Sequence, residues 1–181
     1  MSFDAFVYSP THSKEKVDVG GIPGETQDEA MAKNGAFEII SFELGAENNI
    51  NIGSISAGGG AGKATFKEFT ITKKTDTAST GLFHALVTGK HFDDLVIELR
   101  RSGESTSASG GMFMKFEFRL VMVQDISWSG SDGDDVCEET VIFQFGAIEI
   151  TYKAQDAKGK MGGTPQVTRW SRVKNNASLT V

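Results

Sequence analysis

The feature that most constrains the fold is the segment 111–123, GMFMKFEFRLVMV, because its polarity alternates along the chain. Successive side chains of a β-strand point to opposite faces, so residues two apart share a face. One face has a charged middle made by Lys115, Glu117 and Arg119, and it is predicted to be wet. The other face is entirely apolar and is predicted to be core: Met112, Met114, Phe116, Phe118, Leu120 and Met122.

A second long strand is predicted over residues 141–152, VIFQFGAIEITY, and it is apolar on almost both faces. Covering both faces requires a sandwich, a barrel or a partner chain. Further strands are predicted at residues 3–8, 36–44, 64–72, 94–101 and 166–174. The sequence therefore predicts a single, mainly β domain over residues 1–181, a compact β-barrel or sandwich with one short α-helix.

The helix is predicted to begin at Ser79, which has the side chain of an N-cap, and to end before Gly89, which suits the left-handed C′ position. The residues between them place apolar side chains at helical spacing. These are Leu82, Phe83, Ala85, Leu86 and Val87.

The stretch GGGAGKATF at residues 58–66 has the look of a phosphate-binding loop. The Walker A pattern requires a glycine where this chain has Ala57 and a hydroxyl where it has Ala64. The residues after Lys63 alternate like a strand, so no helix N-terminus is expected to face a phosphate. The sequence predicts a glycine-rich loop leading into a strand, with no nucleotide site.

No arrangement of reactive side chains in the sequence matches a known catalytic or metal-binding pattern. The three histidines, His12, His84 and His91, are too few and too widely spaced for a zinc site with Cys137. Cys137 follows an acidic stretch that would hinder thiolate formation, and residues 129–135 lack the calcium-loop register. We therefore expect no enzyme activity, no metal and no cofactor.

The charge and composition of the chain limit its possible partners and its cellular location. The net charge of −6 makes nucleic acid an unexpected partner. A single cysteine excludes an intrachain disulfide scaffold, and no apolar run approaches the length of about 20 residues that spans a bilayer. The first residues lack the features of a cleaved signal peptide. We expect a protein made in the cytoplasm, and any export to use a route that reads no N-terminal signal.

Residues 45–62 are predicted to be a long extended loop, because structureless connections above about 12–15 residues are usually functional or disordered. Its glycines lose backbone entropy when ordered and so require a partner. Its spaced isoleucines suit docking on a neighbouring chain. The predicted assembly residues are Asn49, Ile50, Ile52, Ile55, Gly58, Gly59, Gly60, Gly62 and Lys63.

The order of several segments along the chain resembles one protein family. The segments are MSFDAFV at the start, GIPGET (21–26), FEIISFELG (37–45), GAGKATFKEFTITKKTD (60–76), TGLFHALVTGKHF (80–92) and ETVIFQFGAIEITY (139–152). Together they resemble the Hcp tube proteins of bacterial type VI secretion systems over essentially the whole chain. No single segment is specific, and the resemblance rests on the collinear set.

The resemblance implies a β-barrel subunit that closes into hexameric rings. Such rings stack into a tube that a contractile sheath expels, and they can carry effectors in the lumen. It further implies sheath, spike and effector proteins as partners, and secretion by the type VI route without a cleaved signal peptide. Two alternatives stay open from the residues alone. One is a monomeric ligand-binding β-barrel with Met112 to Met122 lining a cavity, and the other is an enzyme using Cys137 or His84.

Overall fold

The computed structural model describes residues 3–50, 61–101, 110–156 and 162–181. Two short 3-10 turns, Val17–Val19 and Ala32–Asn34, lie in the N-terminal region. One α-helix, α1, spans Thr77–Thr88. The strands are β1 (Asp4–Tyr8), β2 (Phe37–Glu38), β3 (Ser41–Glu43), β4 (Ala46–Ile50), β5 (Ala61–Phe66), β6 (Phe69–Lys74), β7 (His91–Arg101), β8 (Gly111–Ser129), β9 (Glu138–Tyr152) and β10 (Gln166–Ser171). In the parts of the chain described, no helix has the length and apolar character needed to cross a membrane.

Eight strands form one antiparallel sheet in the order β2-β1-β7-β8-β9-β6-β3, with β10 also paired to β9. Its two end strands, β2 and β3, are neighbours in sequence and are joined by only Ile39 and Ile40. The amide of Ile39 donates to Ala5 in β1, and that of Ile40 donates to Thr72 in β6. The sheet therefore curls until its two ends meet in one chain segment, which confirms the predicted mainly β, barrel-like subunit with one helix.

The interior of the curled sheet is filled by aromatic rings. Phe69 stacks against Phe118 with ring centroids 4.2 Å apart and against Phe143 at 4.6 Å. Phe145 contacts Phe118 at 5.0 Å. Because rings occupy this space, the interior is a packed core and leaves no ligand cavity among these residues.

The predicted core face of β8 is only partly correct. Phe116 and Phe118 are buried, but Met122 is 43% exposed while Val121 and Val123 are buried. Leu120 has a positive φ of 52° and lies opposite Gly146 of β9. A Cβ at Gly146 would lie 3.1 Å from the Leu120 Cβ, so glycine makes room for this backbone. After this irregularity, the buried side chains of β8 are Val121 and Val123, which alternation had placed on the opposite face from the predicted core.

A second irregularity near the start of β8 has the same effect. Met112 and Met114 pair with consecutive residues of β7, so Phe113 is the extra residue of a β-bulge. Phe113 is buried, although it was predicted to lie on the far face. Strict alternation along 111–123 therefore fails at both ends and holds only in the middle.

The predicted helix start was wrong by two to three residues. Asp76 is the N-cap, and its side chain accepts from the amide of Ala78. Ser79 is the third helical residue, and its hydroxyl accepts from the Asp76 amide in a capping box. The predicted end is confirmed, because Gly89 has φ 66° and caps the helix. Leu82 and Ala85 are buried, but Phe83 and Val87 are exposed on the outer face.

The glycines of the GIPGET segment and of α1 allow close packing. A Cβ at Gly81 would lie 2.2 Å from the carbonyl oxygen of Gly21, and one at Gly24 would lie 2.1 Å from that of Ala36. The hydroxyl of Thr77 donates to the Pro23 carbonyl at 2.6 Å. The N-terminal region is thereby held against the start of the helix.

Several predicted strand bounds change. The segment 36–44 is two strands that pair with opposite ends of the sheet, and 64–72 is divided at residues 67–68 into β5 and β6. β7, β8 and β9 are longer than predicted, β1 lies where it was expected, and β10 ends at Ser171, three residues before its predicted end. The segment 45–62 is not one loop, because 46–50 forms β4 by pairing with β5. Its polar sequence, AENNI, gives little indication of a strand without that partner.

Candidate assembly surfaces

The strands β4 and β5 form a two-stranded hairpin outside the main sheet. All five residues of β4 are exposed, including Ile50 at 59%. The base is closed by the Lys67 amide, which donates to the Gly45 carbonyl at 2.9 Å. Phe66 of β5 packs on the barrel, with its ring 6.0 Å from that of Phe145. The described hairpin is thus held to the barrel at its base.

The structure places four of the nine predicted assembly residues, and the other five lie outside the described residues: Ile52, Ile55, Gly58, Gly59 and Gly60. Asn49 and Ile50 lie in β4, and Gly62 and Lys63 lie in β5. The register shifts between Asn48 and Ile50. A Cβ at Gly62 would lie 2.7 Å from the Asn49 carbonyl oxygen, so Gly62 has a role within the hairpin itself.

An open groove of about 590 Å³ lies between β5 and the strands β8, β9 and β10. We call it the basic groove. Among the described residues, its charged lining residues are Lys63 and Arg172, and none of the lining residues is a carboxylate. The guanidinium of Arg172 lies 5.0 Å from the centre of the Phe145 ring and donates to the Phe145 carbonyl at 2.8 Å. The apolar lining includes Phe66, Leu120, Met122, Phe145, Trp170 and Val173.

The connection between β8 and β9, residues 130–137, is exposed throughout and is called the acidic turn. It carries Asp132, Asp134 and Asp135 and no lysine or arginine. The Asp134 carboxylate accepts from the Ser131 amide at 2.8 Å, which fixes the bend. Val136, 47% exposed, gives the turn an apolar side chain.

A buried charged cluster fixes the helix beneath this turn. The ammonium of Lys73, fully buried, lies 3.0 Å from the carboxylate of Glu139 and 2.7 Å from that of Asp76. Glu139 also accepts from Ser79 at 2.7 Å and from the Trp128 indole at 2.7 Å. Helix, sheet and the base of the acidic turn thus share one hydrogen-bonded network.

The polar face of the sheet is lined by ion pairs. Glu117 and Glu149 are register partners on neighbouring strands, an unfavourable pairing of like charges on its own. Arg119 contacts Glu117 at 2.6 Å, Lys115 contacts it at 3.3 Å, and Arg169 of β10 pairs with Glu149. The middle of β8 was predicted to be wet, but its three charged side chains are only partly exposed, and their charges are compensated across three strands.

Two ionisable groups at the β1–β7 edge have shifted pKa values. Burial, reinforced by the charge of Glu98, raises the pKa of the Tyr8 phenol well above its usual range. Burial alone would raise the pKa of Asp94, but hydrogen bonds from Ser9 and Thr11 outweigh it and lower that pKa below its ordinary value. Ser9 donates at 2.6 Å and the Thr11 hydroxyl at 2.5 Å, so Asp94 ties the N-terminal segment to β7.

The residues considered for chemistry lie apart. His84 is in α1, His91 begins β7, and Cys137 is exposed at the end of the acidic turn. His12 contacts Glu15 at 2.8 Å. Across the described ranges, no group of three or more potential metal ligands is arranged to hold an ion. Lys63 enters a strand and not a helix, as the sequence predicted.

Sequence reasoning missed the buried Lys73 cluster. The pattern contained an indication, because Lys73 follows Phe69 and Ile71 at the strand period and so shares their core face. A lysine on such a face requires a carboxylate, and Asp76 follows three residues later. The second carboxylate, Glu139, is 66 residues away and could not be assigned without the strand pairing.

Comparisons with known proteins agree with one another. The family described as "Type VI secretion system effector, Hcp" matches residues 17–152. Protein hcp1 of Pseudomonas aeruginosa is 26% identical over 113 residues, which are 62% of this chain and 68% of that protein. A solved type six secretion system protein has a TM-score of 0.82 at 27% identity, over 98% of this chain and all of its own. Hcp1 from Salmonella typhimurium, at 23% identity, shares the fold with a TM-score of 0.70 over 98% of this chain and all of its own.

Proposed function

This chain belongs to the Hcp family of the type VI secretion system, and from that premise we propose that it is a structural subunit of the secretion tube. In this proposal hexameric rings of the chain stack into a tube that a contractile sheath expels. The lumen carries effectors, and the subunit has no catalytic role. The protein is made in the cytoplasm and leaves by the type VI route without a cleaved signal peptide.

The observation that carries the proposal is the β4–β5 hairpin. A two-stranded hairpin is marginally stable in water by itself. Here β4 is exposed along its whole length, the legs of the hairpin are joined at its base by the Lys67–Gly45 hydrogen bond, and Phe66 of β5 packs on Phe145 of the barrel. Contact with a neighbouring subunit or ring would bury this surface and stabilise the paired strands. The described hairpin contains four of the residues for which the sequence predicted an assembly role, namely Asn49, Ile50, Gly62 and Lys63.

The rival function, a monomeric ligand-binding barrel, has less support. It requires the β8 methionines to line an interior cavity. Met122 instead is 43% exposed and lines an open groove, while phenylalanine rings fill the interior. The distinction is measurable, because a ring has six times the mass of the chain.

The first experiment is light scattering after size-exclusion chromatography of the purified protein. A hexamer of the 19.5 kDa chain is expected. A stable monomer at high micromolar concentration would refute the tube-subunit proposal.

The second experiment shortens the segment between Glu47 and Thr65. Glu47 and Thr65 are register partners, so an Asn-Gly turn can replace residues 48–64. Circular dichroism should show an intact subunit, because loop length has little effect on stability, while electron microscopy should show loss of stacking. The control exchanges exposed Val87 of α1 for Ala in a chain with the full hairpin. An unfolded short variant would place the hairpin in the folding core, and a short variant that still forms tubes would exclude the hairpin from assembly.

A further inference from the structure

Two exposed surfaces of the subunit have opposite charge and share an apolar character. The acidic turn presents three aspartates beside Val136, and Glu138 follows at once. The basic groove presents Lys63 and Arg172 among apolar side chains, without a carboxylate among its described lining residues. Two further exposed lysines lie beside the groove in sequence, Lys67 and Lys174.

The two surfaces of one subunit cannot meet. Both contact β9, the turn at its first residue Glu138 and the groove from Gln144 onward. Six residues of extended strand separate those positions, a distance of about 20 Å at roughly 3.3 Å per residue. A contact between the turn and the groove must therefore join two different chains.

Contacts at both sides of its base hold the acidic turn in one conformation. The indole of Trp128 at its base is held by Glu139 at 2.7 Å, and its ring contacts Phe83 at 5.8 Å. The Thr75 amide donates to the Cys137 carbonyl at 2.9 Å, fixing the other side. Little conformational entropy remains to be lost when such a turn binds a partner.

We propose that the acidic turn of one subunit docks in the basic groove of a second copy of the chain. Two different surfaces then form a head-to-tail contact, which generates a ring when the rotation closes and a stack when it does not. Opposite charges select the pairing, and Val136 contributes apolar contact with the groove. The inference rests on the proposed tube function and assigns the residues that mediate self-assembly.

Cys137 allows a direct test, because it is the chain's single cysteine and is exposed at the end of the acidic turn. A second cysteine is introduced at one of three groove positions, Thr65→Cys, Met122→Cys or Val173→Cys. Assembled protein is oxidised with copper phenanthroline and resolved on a non-reducing gel. The matched control is Val87→Cys, which places a similarly exposed thiol on the outer face of α1.

We expect at least one groove variant to form disulfide-linked dimers and larger species at least tenfold faster than the Val87→Cys control. These species should disappear on reduction and when Cys137→Ser is added. Assembled rings in which all three groove variants link no faster than the control would overturn the inference and leave the tube function intact. A protein that remains monomeric by light scattering would instead refute the tube function, and the inference with it.

Charge reversal gives an independent measurement. Asp135→Lys is expected to weaken assembly about tenfold in dissociation constant, and Lys63→Glu in the same chain is expected to restore it. Asp134 is left unchanged because it shapes the turn through Ser131. Assembly that is indifferent to Asp135→Lys, or a loss that Lys63→Glu fails to rescue, would contradict the proposed pairing.

Discussion

Replacing Lys73 by methionine should be among the most destabilising single changes in the subunit. Lys73 is fully buried and Glu139 is 1% exposed, so removing the ammonium leaves a carboxylate in the interior without its counter-ion. Breaking such a pair by deleting one partner costs about 3–5 kcal/mol. Glu139 retains three neutral donors, Thr75, Ser79 and Trp128. We therefore expect Lys73→Met to cost about 3 kcal/mol, the lower end of that range.

The reciprocal change should cost less. In Glu139→Gln, Lys73 still contacts Asp76 at 2.7 Å and the Lys74 carbonyl at 2.8 Å, so its charge remains compensated. The cost of the double variant should fall below the sum of the two single changes by about 1–2 kcal/mol, since both alter one interaction. The exposed neighbour supplies the control, and Lys74→Met should change the free energy of unfolding by less than about 0.5 kcal/mol.

Urea unfolding followed by circular dichroism measures these differences. With an m-value of about 2 kcal/mol per molar urea, a loss of 3 kcal/mol lowers the midpoint by about 1.5 M. All variants must be compared at one protein concentration, because association adds to apparent stability. A coupling energy below about 0.5 kcal/mol, or a Lys73→Met midpoint equal to that of Lys74→Met, would refute the assignment of a buried ion pair.

Three further outcomes follow from the packing and the hydrogen bonds. Phe69→Ala should lower the free energy of unfolding by about 3–5 kcal/mol, because it empties the centre of the aromatic stack. Thermal melting tests this, with the exposed Phe83→Ala variant as the control. Gly81→Ala should destabilise the subunit, because the new Cβ would lie 2.2 Å from the Gly21 carbonyl oxygen, although alanine usually stabilises a helix relative to glycine. An unchanged or higher melting temperature would contradict this close packing. Above pH 3.8, the ordinary pKa of its carboxyl, Asp94→Asn should be less stable than the parent protein. Denaturation measured at a series of pH values should show this difference disappearing as the pH falls below 3.8. The sign follows because the folded pKa is depressed, so the stabilisation is lost on protonation, and a difference that grows in acid would contradict it.

Local pattern was enough to predict the fold class, the two terminal strands and the end of the helix. β1 lies within the predicted residues, β10 begins at the predicted residue and ends three residues early, and Gly89 caps the helix as its position required. These features depend on a few consecutive residues. The same reasoning failed where a neighbour in space decides the backbone, as at Leu120, whose positive φ is accommodated by Gly146 across the ladder.

The sequence predicted where the candidate assembly site lies along the chain but not its secondary structure. The isoleucines and glycines of residues 45–62 marked an unusual segment, but β4 exists only because β5 pairs with it. The predicted N-cap, Ser79, is instead the third helical residue, and it acts with the true N-cap, Asp76, in one capping box. The acidic turn matches no local motif, so the sequence alone established only that residues 129–135 lack the calcium-loop register.

The two-residue link between β2 and β3 has a consequence for biosynthesis. β6 must pair with β9 along Phe69↔Phe143, so the curled sheet cannot close until residues near 143 have left the ribosome. Until then the apolar faces of β6 and β7 have no complete cover, and the growing chain exposes unpaired strand edges. We expect the subunit to fold late, as a whole and comparatively slowly, as contacts distant in sequence require. Its supply of assembly-competent copies would then depend on how well the nascent chain is kept from aggregating.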